Sequence, residues 1–159
     1  MIKLRIYRPS RLTLFLIVHF AALGLGSVLM GTGPMGNWYQ DLNKAPWTPP
    51  GWVFGAAWTL IMIFLSIAMA KLLGKTSRRS HVMSIWGVHL VLNVLWNPLF
   101  FNWHLLGIAL IEILMLLALV IYLGLCMKKE IGRWSLLILP YILWLSIAAT
   151  LNGYAFQFN

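Results

Sequence analysis

Long, nearly unbroken apolar runs alternate with short polar breaks along this chain. The runs occupy roughly 12–30, 51–73, 81–101, 105–127 and 133–156. Each has the roughly 20 residues that a helix needs to cross about 30 Å of hydrocarbon. Strands of a membrane barrel would alternate apolar and polar positions over about ten residues, which these runs do not. The pattern predicts an all-α integral membrane bundle of five transmembrane helices, forming a single domain over 1–159. The breaks at 74–80, 102–104 and 128–132 are so short that sequential helices are expected to be antiparallel neighbours, in up-and-down order. A basic start before the first apolar run is a feature of cleaved signal peptides. This run is longer than a usual signal core and no clear small-x-small site ends it, so it is expected to remain as a helix.

Composition agrees with the pattern. Of the residues, 61% are hydrophobic and 9% charged, with mean hydropathy +0.84, whereas water-soluble domains carry about 25% charged residues. The single cysteine, Cys126, excludes an internal disulfide or a C-x-x-C redox pair. A net charge of +9 would suit nucleic acid, but its distribution argues for a different partner. Lys3, Arg5, Arg8 and Arg11 precede the first run; Lys71, Lys75, Arg78 and Arg79 surround the 74–80 break; Lys128, Lys129 and Arg133 surround the 128–132 break. Of the 12 lysines and arginines, only Lys44 lies elsewhere. Such a partition places the basic breaks and the N-terminus in the cytoplasm, with the lipid bilayer as partner and no nucleic acid.

The break at 31–50 differs in kind. From Trp38 to Trp58 the chain holds Trp38, Trp47, Trp52 and Trp58, with Pro46, Pro49 and Pro50 among them. Proline fixes its own φ, lacks an amide donor and pushes the preceding residue toward extended geometry. The segment is therefore expected to be a stiff aromatic loop, with a new helix starting near Gly51. A plain linker needs no such rings, so the loop is expected to fold as a lid over a space between the helices.

Polar and large aromatic residues at mid-span require a reason in lipid. His89, Asn93, Trp96 and Phe100 share one helical face, as do Tyr141, Trp144, Ala148 and Asn152, while Trp58 lies on a stripe with Met62 and Leu65. These stripes could be interhelical packing, since Asn and His often bond across membrane helices. Taken together they point to a pocket beneath the aromatic loop. Glu112 is the only acidic residue at mid-span, and it offers either a bond to a neighbouring helix or the centre of a proton-coupled small-molecule transporter. His19 and His89 could ligate a haem iron from two sides. No H-E-x-x-H, G-x-S-x-G or Walker pattern supports hydrolytic or phosphoryl-transfer chemistry.

Several motifs resemble one family across nearly the whole chain. W-Y-x-x-L at Trp38–Leu42, W-x-P-P-x-W-V-F-G at Trp47–Gly55 and Trp58 are similar to the translocator proteins. These are also known as peripheral benzodiazepine receptors and, in bacteria, tryptophan-rich sensory proteins. L-N-x-x-W-x-x-x-F-F at Leu92–Phe101 and L-P-Y-x-x-W-x-x-x-A-x-x-L-N at Leu139–Asn152 follow in the same order.

The resemblance implies a five-helix receptor or translocator, often a homodimer. It implies binding of porphyrins (protoporphyrin IX, haem) and benzodiazepine-type ligands, with no cofactor required and no metal site. It assigns Trp58 and Trp144 to the pocket and to light-dependent porphyrin degradation. Asn93, Trp96, Phe100 and Ala148 would line the same cavity, with Trp38 and Pro49 in the lid. A bacterial cell membrane is the expected location.

Three departures stand out. Lys44-Ala45 replaces the family's Lys-Pro, Met62 stands where a tyrosine is usual, and the cholesterol-recognition pattern near Leu151 has Gly153 at its tyrosine position. Sterol binding is therefore not expected, the pattern being weak even when intact.

Overall fold

The computed structural model describes residues 9–159, and every regular element among them is helical. Lys3, Arg5 and Arg8 of the N-terminal basic group lie outside the described residues. Helix α1 spans Pro9–Leu29, α2 Asn37–Asp41, α3 Gly51–Lys75, α4 Arg79–Asn97, α5 Leu106–Ile131 and α6 Leu139–Phe158. Short 3₁₀ turns occupy Gly33–Met35 and Gly132–Ile138, and a π-helical turn occupies Pro98–Asn102.

Among the described residues, four stretches are long and apolar enough to cross a membrane: Ser10–Met35, Gly51–Lys75, Arg79–Asn102 and Leu106–Phe158. This is a multi-pass membrane protein. The last stretch is a helical run of 53 residues that doubles back at Gly132. Gly107 lies against Phe156, Gly153 against Leu110 and Gly124 against Ile138, so α5 and α6 are antiparallel.

The bend departs from the pattern. A break was expected over 128–132, yet α5 continues through Lys128, Lys129, Glu130 and Ile131. Lysine and glutamate are good helix formers, and lysines in a last turn complement the helix dipole. Only Gly132, at φ 56 and ψ −126, adopts a backbone that other residues resist.

Helix order also departs from the up-and-down expectation. Helices α3 and α4 are consecutive, but α1 lies between them. His19 of α1 is fully buried; its Nδ1 meets Ser66 Oγ of α3 at 2.7 Å, and its Nε2 accepts from Trp86 Nε1 of α4 at 2.8 Å. The Phe15 ring packs edge-on against Trp86 at 5.2 Å. A short turn constrains only the ends it joins. Farther along, α3 and α4 splay, and α1 fills the wedge because its buried imidazole finds partners on both sides.

His19→Ala is accordingly expected to cost about 2 kcal/mol, from the emptied volume and two lost bonds. Thermal unfolding in detergent should register the loss. An unchanged midpoint would mean that the wedge is held by apolar packing alone.

The order around the bundle is α3, α1, α4, α5, α6. The ring closes where α6 returns toward α3, and that seam is made largely by aromatic side chains.

At the opposite end from the basic breaks, Pro98 cannot donate an amide proton. The helix widens there, and Trp103 N donates to Pro98 O at 2.8 Å across a π-type turn. This aims Phe100 and Phe101 at the 31–50 segment.

Candidate functional site

The 31–50 segment folds across the end of the bundle. Trp38, on α2, stacks on His104 at 3.8 Å and meets Phe100 edge-on at 5.8 Å. Tyr39 packs against Phe101 at 5.3 Å. Lys44 Nζ donates to the carbonyls of Tyr39 and Gln40, both at 2.8 Å, which satisfies the open C-terminal end of α2. Trp47 Nε1 donates to Thr150 Oγ1 at 3.3 Å, and its ring abuts Tyr154 at 5.5 Å. Asn159 Oδ1 accepts from Asn43 N at 2.9 Å. The segment is thus tied both to the π turn and to α6. Pro49 is half-buried within it, and Pro50 caps α3 with an extended backbone.

Below this cover the stripes on α4 and α6 face each other. Tyr141 is buried, and its hydroxyl accepts from Asn93 Nδ2 at 2.9 Å and meets His89 Nε2 at 2.9 Å. Trp58 of α3 lies edge-on to the Tyr141 ring at 5.6 Å. Nearer the cover, Trp96 Nε1 donates to Asn152 Oδ1 at 3.1 Å, and Asn152 Nδ2 donates to the Leu106 carbonyl at 3.0 Å. Trp96 also stacks on Phe100 at 4.9 Å. Three helices are therefore joined by polar bonds in a layer where water cannot satisfy them.

Trp144 sits on the seam. It is 7% exposed and meets Phe54 of α3 edge-on at 5.2 Å. It also borders a groove of about 240 Å³ on the outer face of α3 and α6, lined chiefly by Ala57, Leu60, Ile61, Leu143 and Ile147. Ala148 is half-buried against the core.

The expected site residues therefore fall into two linked groups. Trp58 and Asn93 meet Tyr141, with Trp144 one turn along the same helix against Phe54, whereas Trp96 and Phe100 gather under Trp38 of the cover. Two ring pairs, Phe54–Trp144 and Trp58–Tyr141, bridge α3 and α6. Met62, at the position where a tyrosine was expected, is fully buried in the core.

Ser66, Trp86 and Phe54 were not singled out from the sequence. Phe54 lies one helical turn before Trp58, and Ser66 lies two turns beyond it, so both extend the Trp58 stripe. Trp86 stands one turn before His89. The axial pairing of His19 with His89 is not supported, because both ring nitrogens of His19 are engaged in hydrogen bonds.

Glu112 lies inside α5 at 5% exposure, and neither carboxyl oxygen has a hydrogen-bond partner among the described residues.

Comparison with known proteins agrees with the motifs. The TspO/MBR family profile matches residues 14–157. Protein CrtK of Rhodobacter capsulatus is 31% identical over 153 residues, covering 93% of this chain and 94% of that protein. The tryptophan-rich sensory protein of Cereibacter sphaeroides is 31% identical over 124 residues, 77% of each chain. The translocator protein of Homo sapiens is 30% identical over 120 residues, covering 73% of this chain and 71% of its own.

Proposed function

This chain belongs to the TspO/MBR family, and from that premise we propose that it is a receptor or translocator for porphyrins such as protoporphyrin IX and haem. Benzodiazepine-type ligands would share its pocket. The observation that carries the proposal is the α3–α6 seam, which two edge-on ring pairs bridge, Phe54 with Trp144 and Trp58 with Tyr141. A flat macrocycle enters by parting these rings and gains their faces in exchange. The propionates seek Asn93, Lys44 or backbone amides of the 31–50 segment, which acts as the lid. Trp58 and Trp144 then stand where an excited porphyrin can take an electron from an indole, leaving a porphyrin radical anion and an indole radical cation. With dissolved dioxygen as the oxidant, this charge separation is the basis for light-dependent degradation.

The proposal extends to five spans, with the 106–158 run crossing twice, and to a bacterial cell membrane with the N-terminus in the cytoplasm. It also extends to a homodimer, for which the support is the family resemblance.

Protoporphyrin IX titration of the detergent-purified protein tests this function. Saturable tryptophan quenching is expected, weakened about threefold to tenfold by Trp58→Phe or Trp144→Phe through the lost ring contacts. Under illumination the Soret band should fade in the wild type and persist in the double variant. Absence of saturable quenching would reduce these tryptophans to packing residues.

A second function rests on Glu112. A buried carboxyl lacking hydrogen-bond partners among the described residues, on the helix that packs against both α4 and α6, suits a proton carrier in coupled transport.

A further inference from the structure

A second groove lies at the basic end of the bundle, remote from the aromatic cover. It measures about 320 Å³ and is lined by Phe64 of α3 and by Arg133, Trp134, Leu136 and Leu137 of the 3₁₀ turn. Its two ends differ in chemistry. On α3, Lys71 lies seven residues beyond Phe64, about 10 Å farther along the axis and toward the basic end. The Lys71 ammonium rests 3.6 Å from the centroid of the Trp134 ring, so a cation is held at the groove mouth. Arg133, on the partner wall at the same end, is exposed. Deeper in, Phe64, Leu136 and Leu137 present only hydrocarbon.

We infer that this groove is a site for one anionic phospholipid, with its phosphate between Arg133 and Lys71 and an acyl chain along Phe64, Leu136 and Leu137. Charge complementarity selects that occupant. Arg11, Lys71, Lys75, Arg78, Arg79, Lys128, Lys129 and Arg133 crowd this end of the bundle, against Glu130 as the one acidic residue there. Basic hollows between membrane helices favour anionic headgroups. Trp134, 41% exposed, is an amphipathic ring of the kind that sits at headgroup level. A zwitterionic headgroup would bring its own cation up against Arg133 and Lys71, and a free anion would leave the apolar half of the groove unfilled. The site is separate from the α3–α6 seam at Trp144 and stands whether or not porphyrin binds there.

Native mass spectrometry of the full chain tests this, after exchange into micelles containing equal amounts of phosphatidylglycerol and phosphatidylcholine. One phosphatidylglycerol should be retained in preference. Arg133→Gln should reduce that preference about fivefold, the effect of one charge near a headgroup. Leu136→Trp, at an exposed position on the groove wall, should expel the lipid while leaving every charge in place. Arg79→Gln, at the start of α4 and outside the groove lining, should lower the preference far less than Arg133→Gln. Equal retention of the two lipids would overturn the assignment, and so would an Arg79→Gln loss as large as that of Arg133→Gln.

Discussion

Tyr141→Ala is expected to lower the unfolding free energy by about 4–6 kcal/mol, the largest stability effect foreseen for this bundle. Deleting a buried aromatic ring typically costs about 3–5 kcal/mol through lost contacts and the cavity left behind. Here the ring also separates Trp58 from His89, so both neighbours lose a packing surface. The remainder comes from Asn93 Nδ2 and His89 Nε2, which lose their shared hydroxyl. Tyr141→Phe isolates that second part. It keeps the ring and should cost about 1 kcal/mol, in line with hydrogen bonds between membrane helices. Denaturant titration in detergent, followed by circular dichroism, measures both. A Phe variant as damaged as the Ala variant would mean that the hydroxyl, rather than the ring, organises the cluster.

Glu112 predicts the opposite sign. A buried polar group without a partner is a standing penalty of about 1–3 kcal/mol, and an apolar side chain of similar volume removes it. Glu112→Met is therefore expected to stabilise the protein by about that amount in the same titration. If the carboxyl carries protons across the membrane, the gain in stability comes with a complete loss of transport. In liposomes holding a pH-sensitive dye, addition of protoporphyrin IX should drive proton uptake with the wild type and none with Glu112→Met or Glu112→Gln. Destabilisation by Glu112→Met would show that the carboxyl is satisfied in the folded state. Unchanged uptake in both variants would remove the transport function.

Much of this arrangement was legible in the chain because helical spacing fixes which residues share a face. The stripe His89, Asn93, Trp96 and the stripe Tyr141, Trp144, Asn152 do meet, through bonds to Tyr141 and Asn152. Spacing says nothing about which helix lies opposite, and so the place of α1 was missed. His19 could be seen as a mid-span polar residue, but its pairing with Ser66 and Trp86 depends on how three helices pack. The Lys128–Ile131 extension escaped for another reason. Charge marks where a chain leaves hydrocarbon, whereas a helix ends where its backbone is forced to turn, here at Gly132. The third span was expected to run through Pro98 to Phe101, and the π turn that Pro98 starts, which rotates Phe100 and Phe101 toward Trp38 and Tyr39, was missed.

The groove beside Trp144 has a consequence for how affinity is expressed. Its rim residues Leu60, Leu143 and Ile147 are exposed along the apolar lengths of α3 and α6, so its mouth opens sideways into the acyl chains. A molecule arriving there has already left water, and its effective concentration is set by partitioning into the lipid. Half-saturation measured against total ligand will therefore rise with the amount of lipid or detergent present, even if the contacts at the groove do not change. Affinities from different preparations become comparable only as mole fractions within the membrane phase.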